Sequence, residues 1–147
     1  SDRIRIMTTG IIADAPGLTS ILDEMGMQIV ADDIAAESRQ YRTDAPAEFC
    51  PMDSLVKKFQ NMDNCSVLYD FYKKRVDYII EQIKEYDAKG LLIVMTKFCD
   101  PEEFDYPLIK KACEAAGIPT ATIEVDRQMV NYEQARTAIE TFRDVLA

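Results

Sequence analysis

The sequence contains no histidine in its 147 residues. That removes the Ser-His-Asp triad, the Cys-His dyad, the HExxH motif and every His-containing zinc site. Acid–base chemistry is left to carboxylates, Lys, Tyr or Cys. Glycine is also scarce: there are five, and none cluster. No GxGxxG or P-loop can be written, so classical dinucleotide or nucleoside triphosphate binding is disfavoured. Basic residues are few, 17 Lys+Arg against 26 Asp+Glu, for a net charge of -9. A field of that sign opposes a nucleic-acid partner or an anionic membrane surface. No apolar run approaches the ~18 residues of a membrane span; the best is Leu91–Met95. Residues Ser1–Ile6 carry charges where a signal peptide would need an apolar segment. Cys50, Cys65, Cys99 and Cys113 form no CxxC pair and match no zinc ribbon. With no secretory signal, a reducing cytoplasm is the default compartment and a disulfide framework is not expected.

What remains is the mix of a soluble globular domain, 48% hydrophobic and 29% charged. The length suits a single domain that buries a core without metal or disulfide staples. Ile4–Thr8 reads as a first strand ending at Gly10. Asp14–Ala15–Pro16 reads as a helix start, followed by Leu18, Ile21, Leu22 and Met25 on one face. After Gly26, Met27–Ala31 is a second strand, followed by Asp32 and Asp33. An irregular stretch from Ile34 to Pro51 holds Arg39, Tyr41, Arg42, Pro46 and Cys50; loops of that length are usually functional or face a partner. A short helix over Met52–Phe59 leads to a turn at Asn61–Asn64.

Leu68–Tyr86 gives the clearest helical pattern, with Tyr72, Val76, Ile79, Ile80 and Ile83 on one stripe and Lys73, Lys74, Asp77, Glu81 and Lys84 facing away. Tyr69, Tyr72, Tyr78 and Tyr86 read as cover for the sheet, since no basic residues gather with them as a base-stacking platform requires. Leu91–Thr96 is apolar on both faces, as a central parallel strand should be. Leu108, Ile109, Ala112 and Ala116 form the next helical face, closed by Gly117 and Pro119; Cys113 among them reads as a core residue. Thr120–Val125 is the fourth strand, and Asn131–Leu146 the last helix, with Ala135, Ala138, Ile139, Phe142 and Leu146 facing inward. Alternating strands and helices predict a three-layer α/β fold, flavodoxin- or Rossmann-like. Its sheet has about four parallel strands in order 2-1-3-4, with helices on both faces.

In such sheets ligands bind outside the carboxyl ends of the strands, at the switch point between strands 1 and 3. Four loops qualify: Thr8–Thr9–Gly10, Asp32–Asp33, Lys97–Phe98–Cys99–Asp100 and Asp126–Arg127. Thr9–Gly10 alone reads as a strand end with a glycine turn. Asp32–Asp33 suits a cation or a ribose, or equally a solvated strand end or a cap. Cys99 precedes Asp100–Pro101–Glu102–Glu103, which reads as a capped helix start with Asp100 as cap. Amides at a helix N-terminus stabilise negative charge, so Cys99 suits a ligand or a nucleophile; the alternative is a half-buried inert thiol. Lys97 adds positive potential and Asp100 opposes it. Cys65 and Cys50 stand in turns from which either could approach the sheet edge.

The string LLIVMTKFCDPEEFDYPLIKKACEAAGIPTATIEVD carries a more specific signal. It resembles the C-terminal domain of the 2-hydroxyacyl-CoA dehydratase / benzoyl-CoA reductase subunit family. The shared frame is a buried strand, then KFCDP, a D-x-P-L helix, GIP, and a strand ending in E-x-D. RIMTTG, QIVADDIAAESR, the Cys65-containing turn with its long helix, and the terminal ARTAIETFRD with Arg136, Glu140 and Phe142 fit the same frame.

The resemblance implies a cytoplasmic, anaerobic protein acting on an acyl-CoA. It implies a [4Fe-4S] cluster held through three cysteines per subunit, a second subunit in a heterodimer, and an ATP-dependent iron–sulfur activator that delivers an electron. Dehydratases of the family eliminate water from a 2-hydroxyacyl-CoA through a ketyl radical; the alternative branches are benzoyl-CoA reductases and double-cubane reductases. By the resemblance Cys99 matches a cluster ligand, and Lys97, Phe98, Asp100 and Thr9 would surround it. The other two family ligands belong to an N-terminal domain that this sequence does not contain. The expectation is therefore one domain, residues 1–147, cut from the C-terminal part of a longer subunit, as a first residue of Ser rather than Met also suggests. By itself it would hold no cluster and be inert. The competing class is a non-catalytic small-molecule-binding, regulatory or scaffolding α/β module, for which Asp32–Asp33 is the feature to watch.

Overall fold

The computed structural model describes every residue except Ser1, Asp14, Tyr69 and Arg127. The helix cap expected at Asp14, the helical position of Tyr69 and the loop position of Arg127 thus lie outside the described residues. Four parallel strands form one sheet: β1 (Ile4–Gly10), β2 (Met27–Ile34), β3 (Gly90–Thr96) and β4 (Thr120–Val125). Their order is β2-β1-β3-β4, the expected one, with the switch point between β1 and β3. Among the described residues six helices accompany them: α1 (Pro16–Glu24), α2 (Ser38–Tyr41), α3 (Pro51–Asn61), α4 (Lys74–Glu85), α5 (Asp100–Ala115) and α6 (Glu133–Leu146).

The pleat of the central strands divides the core in two. Ile6, Leu92 and Val94 point to one face, where they meet Leu18, Ile21 and Leu22 of α1 and Ala135, Ile139 and Phe142 of α6. Met7, Leu91 and Ile93 point to the other, against Ile79 and Ile83 of α4 and Ile109 and Cys113 of α5. β3 is buried on both sides, as its unbroken apolar sequence requires. Gly10 sits at φ +151, and a Cβ there would lie 2.2 Å from the Val94 carbonyl oxygen; the close approach of β1 to β3 needs a glycine.

Four expectations are corrected. β2 continues through Ile34, so Asp32 and Asp33 are strand residues rather than a loop after the strand. The long helix starts at Lys74, not Leu68. The chain before it turns through left-handed Asn64 and Lys73, which no helix can include, and Tyr72 is left off the stripe at 78% exposed. α5 buries Glu102, Asp105, Ile109 and Cys113, while Leu108 and Ala116 lie outward. Finally, Cys99 itself stands at the N-cap of α5 and Asp100 is its first residue, with no side-chain cap.

Candidate functional site

The strand ends converge on a group of charged side chains whose centre, Asp33, Arg39, Arg75, Glu102 and Asp105, is almost wholly removed from water, with Arg42 and Lys73 at its rim. β2 carries an irregularity opposite Ile6 and Met7, after which Thr9 pairs with Asp33. Such a bulge re-aims the residues beyond it. Thr9 follows Met7 by two residues and so shares the sheet face covered by α4 and α5. Its hydroxyl donates to Asp33 Oδ2 (3.0 Å) and accepts from Arg75 Nη2 (2.9 Å).

Asp33 is the hub. Its Oδ1 accepts from Arg39 Nε (3.0 Å) and Arg42 Nη1 (3.0 Å), and its Oδ2 from Arg39 Nη2 (3.0 Å) and Arg75 Nε (2.7 Å). Burial pushes its carboxyl up, but Arg39 and Arg75 override this and hold it below the usual carboxylate range. Arg75 uses its whole fork: Nε to Asp33, Nη2 to Thr9 and to Glu102 Oε2 (2.9 Å), Nη1 to Asp105 Oδ2 (3.1 Å). Burial alone would lower its pKa; Asp33 and Glu102 raise it, so it stays charged.

The ring closes through α5 and the loop before α4. Arg39 Nη2 reaches Glu102 Oε1 at 3.3 Å, and Ser66 also donates to that oxygen. Lys73 Nζ meets Asp105 Oδ1 at 2.7 Å. Arg42 donates onward to the Asn64 carbonyl (2.6 Å) and lies 4.5 Å over the Tyr78 ring. Three carboxylates, Asp33, Glu102 and Asp105, thus meet four cations, Arg39, Arg42, Lys73 and Arg75. Isolated charges could not persist there; paired and fully hydrogen-bonded, they can.

Beside this group lies the Cys99 loop. Cys99 is partly exposed; its N–H donates to the Thr96 carbonyl (3.2 Å) and its carbonyl accepts from the amides of Glu102 and Glu103 (3.1 Å each). Lys97 is exposed, and Phe98 is 93% exposed at a left-handed φ of +63. Asp100 is exposed at the start of α5. Thr9 is buried and faces the ion group. A crevice of about 570 Å³ opens at the carboxyl ends of the strands, between Pro16, Leu18, Thr96, Val125, Met129 and Tyr132. The Thr96 Oγ1 buried at its edge has no hydrogen-bond partner among the described residues.

The other cysteines do not join Cys99. Cys113 is fully buried in the core, where burial pushes its thiol up to about 11. Cys50 is exposed and donates to Asp53 (3.1 Å). Cys65 is buried at the border of the ion group, its sulfur 3.7 Å from Arg39 Nη1. Among the described residues no three His, Cys, Asp or Glu side chains gather as a metal site. One thiolate cannot hold a [4Fe-4S] cube, so the residues of this chain do not by themselves fit that group. Asp32 caps the turn after β2, accepting from the amides of Ile34 (3.1 Å) and Ser38 (3.2 Å). Asp33, saturated by three cations, is not free to take a phosphoryl group or Mg²⁺, so it lends no support to a regulatory module built on the Asp32–Asp33 pair.

Sequence reasoning passed over the ion group. Its signal was nevertheless present. Arg75 precedes Ile79 and Ile83 by four and eight residues, and Asp105 precedes Ile109 and Cys113 by the same steps. Opposite charges on the buried stripes of two helices are expected only if they meet.

Fold and site together define an α/β domain with a cysteine-bearing loop after its central strand and a buried ion group beside it. The chain belongs to the family of the 2-hydroxyglutaryl-CoA dehydratase D-component, whose model matches residues 1–146. It is 58% identical over 142 residues to the (R)-phenyllactyl-CoA dehydratase beta subunit of Clostridium sporogenes, covering 97% of this chain and 38% of that protein. It is 38% identical over 149 residues to the (R)-2-hydroxyglutaryl-CoA dehydratase subunit beta of Acidaminococcus fermentans, covering 99% and 39%. A benzoyl-CoA reductase subunit of Thauera aromatica is 23% identical over 147 residues, covering 97% and 38%. The chain therefore spans under two-fifths of the length of these curated relatives.

Proposed function

We propose that the chain is the C-terminal domain of a 2-hydroxyacyl-CoA dehydratase subunit of the beta type, and that it contributes Cys99 to an iron–sulfur cluster completed by cysteines outside these 147 residues. The observation that carries this reading is the 58% identity to a dehydratase beta subunit across 97% of the chain. The much lower identity to a benzoyl-CoA reductase subunit, 23%, favours dehydration over ring reduction. The position of Cys99 supports it: a thiol partly open to the outside, on a short loop at the carboxyl end of the central strand. Cluster sulfurs are tuned by the groups around them, and here those are Lys97, Phe98, Asp100 and, through the ion group, Thr9. The same reading gives an acyl-CoA as substrate, a second subunit and an ATP-dependent iron–sulfur activator as partners, and the cytoplasm as location. Among the described residues no helix is long and apolar enough to cross a membrane.

The test is turnover by the subunit assembled anaerobically with its second subunit, activator, ATP and reductant. Loss of water from a 2-hydroxyacyl-CoA to give the enoyl-CoA is the expected result. Reduction of an aromatic acyl-CoA ring with no dehydration would move the chain to the reductase branch.

A further inference from the structure

We propose that Arg75 is a positioning residue for the Cys99 loop, clamping the first turn of α5 to the ends of β1 and β2 so that the cysteine is presented in one fixed place. The meaning of that place rests on the reading of Cys99 as a ligand; the clamp itself is a matter of geometry.

Arg75 touches all three elements at once. Its Nε holds Asp33 of β2 (2.7 Å), and its Nη2 holds Thr9 of β1 (2.9 Å) and Glu102 of α5 (2.9 Å). Its Nη1 holds Asp105, one turn further along α5 (3.1 Å). Glu102 is also the residue whose amide bonds the Cys99 carbonyl, at 3.1 Å. The path from the buried guanidinium to the cysteine is therefore one side chain and one backbone hydrogen bond. A planar fork held by three carboxylates and a hydroxyl cannot rotate without breaking several charged hydrogen bonds together.

A second observation points the same way. Phe98, beside Cys99, and Lys73, two residues before Arg75, are both held in left-handed backbone, at φ +63 and +51. Non-glycine residues persist there only where the surrounding structure over-determines them. Each of these strained residues lies within two residues of a helix whose first turn carries part of the ion group, and Lys73 joins it directly through Asp105. The clamp is what opposes relaxation of both turns.

The four cysteines make the test internal. In the reduced, metal-free chain, alkylation at one fixed pH is followed for each cysteine by peptide mass spectrometry, and amide exchange is followed alongside. Exposed Cys50 is the reference and buried Cys113 reports folding. With Arg75→Gln, alkylation of Cys99 relative to Cys50 should rise about three- to tenfold and exchange at Glu102 and Glu103 should quicken, as expected of a local opening. Cys113 and the amides of β3 should stay protected. Arg75→Lys keeps the charge but not the fork and should loosen the loop in the same direction. If Arg75→Gln exposes Cys113, then Thr9→Val, which removes one partner of the fork, decides by the same readouts. A Cys99 rate unchanged in the folded variants, an Arg75→Lys protein that matches the parent, or loosening spread evenly along α5 would overturn the proposal. Because no cluster is needed, this outcome is separate from whether Cys99 binds iron.

Discussion

Asp33 accepts hydrogen bonds from three cationic side chains and a hydroxyl while fully buried. Removing one partner of such a group leaves the others charged in a medium that cannot solvate them. Asp33→Asn should therefore cost about 3–5 kcal/mol in urea unfolding at neutral pH. The pH dependence follows from the direction of its shift. Its folded carboxyl lies below its unfolded value, so the stability it supplies is complete above the ordinary range near ~3.9 and is lost as pH falls toward the folded value. The gap in urea midpoint between the parent and Asp33→Asn should be wide at pH 7 and should narrow below about pH 4. A gap constant with pH would show that Asp33 does not titrate as its partners dictate. The sequence showed Asp33 as one of an acidic pair with no way to tell it from Asp32. The distinction comes from the irregularity in β2, which turns Asp33 toward the buried helices and leaves Asp32 to cap the local turn. No local periodicity records that irregularity.

Among the elements, strands were legible because each is a short run rich in apolar and β-branched residues between turn or charge signals; Leu91–Thr96, whose apolar run is unbroken, is the plainest case. Helix starts were less so. The Leu68–Tyr86 pattern holds apolar residues at helical spacing on both sides of Lys73, and nothing in that spacing reveals the left-handed turn that separates them. The stretch between β2 and α4 is where the sequence said least, and it supplies Arg39, Arg42, Cys65, Ser66 and Lys73 to the ion group or its border. α3 shows the opposite relation. Met52, Leu55, Val56 and Phe59 make a regular apolar stripe, yet all four are exposed and of α3 only Ser54 is buried. The stripe adds little to the stability of this chain. Leu55→Ser should change the unfolding free energy by less than about 0.5 kcal/mol, whereas a loss of several kcal/mol would mean that α3 packs inward in solution.

For the whole molecule, the parallel sheet and its order followed from alternation alone, since right-handed crossovers leave few other layouts. Two separate apolar layers hold that sheet, and the ion group stands at one end of the layer containing α4 and α5. The site was legible only in part. Cys99 and its loop could be named because they follow the central strand directly, whereas Arg39, Arg75, Glu102 and Asp105 come together from three segments distant in sequence. The chain spans 38% of the length of its phenyllactyl-CoA dehydratase relative, and it offers one cysteine where a cluster needs several. By the function proposed above, Cys99 is one of the thiolates of an iron–sulfur cluster in a longer subunit. The most direct measurement is iron content, with the visible absorption of the cluster, in that subunit reconstituted anaerobically with and without Cys99→Ser. Loss of bound iron and of the cluster absorption in the variant, with the fold retained, is the predicted result. Equal iron and an identical spectrum in the two proteins would contradict it.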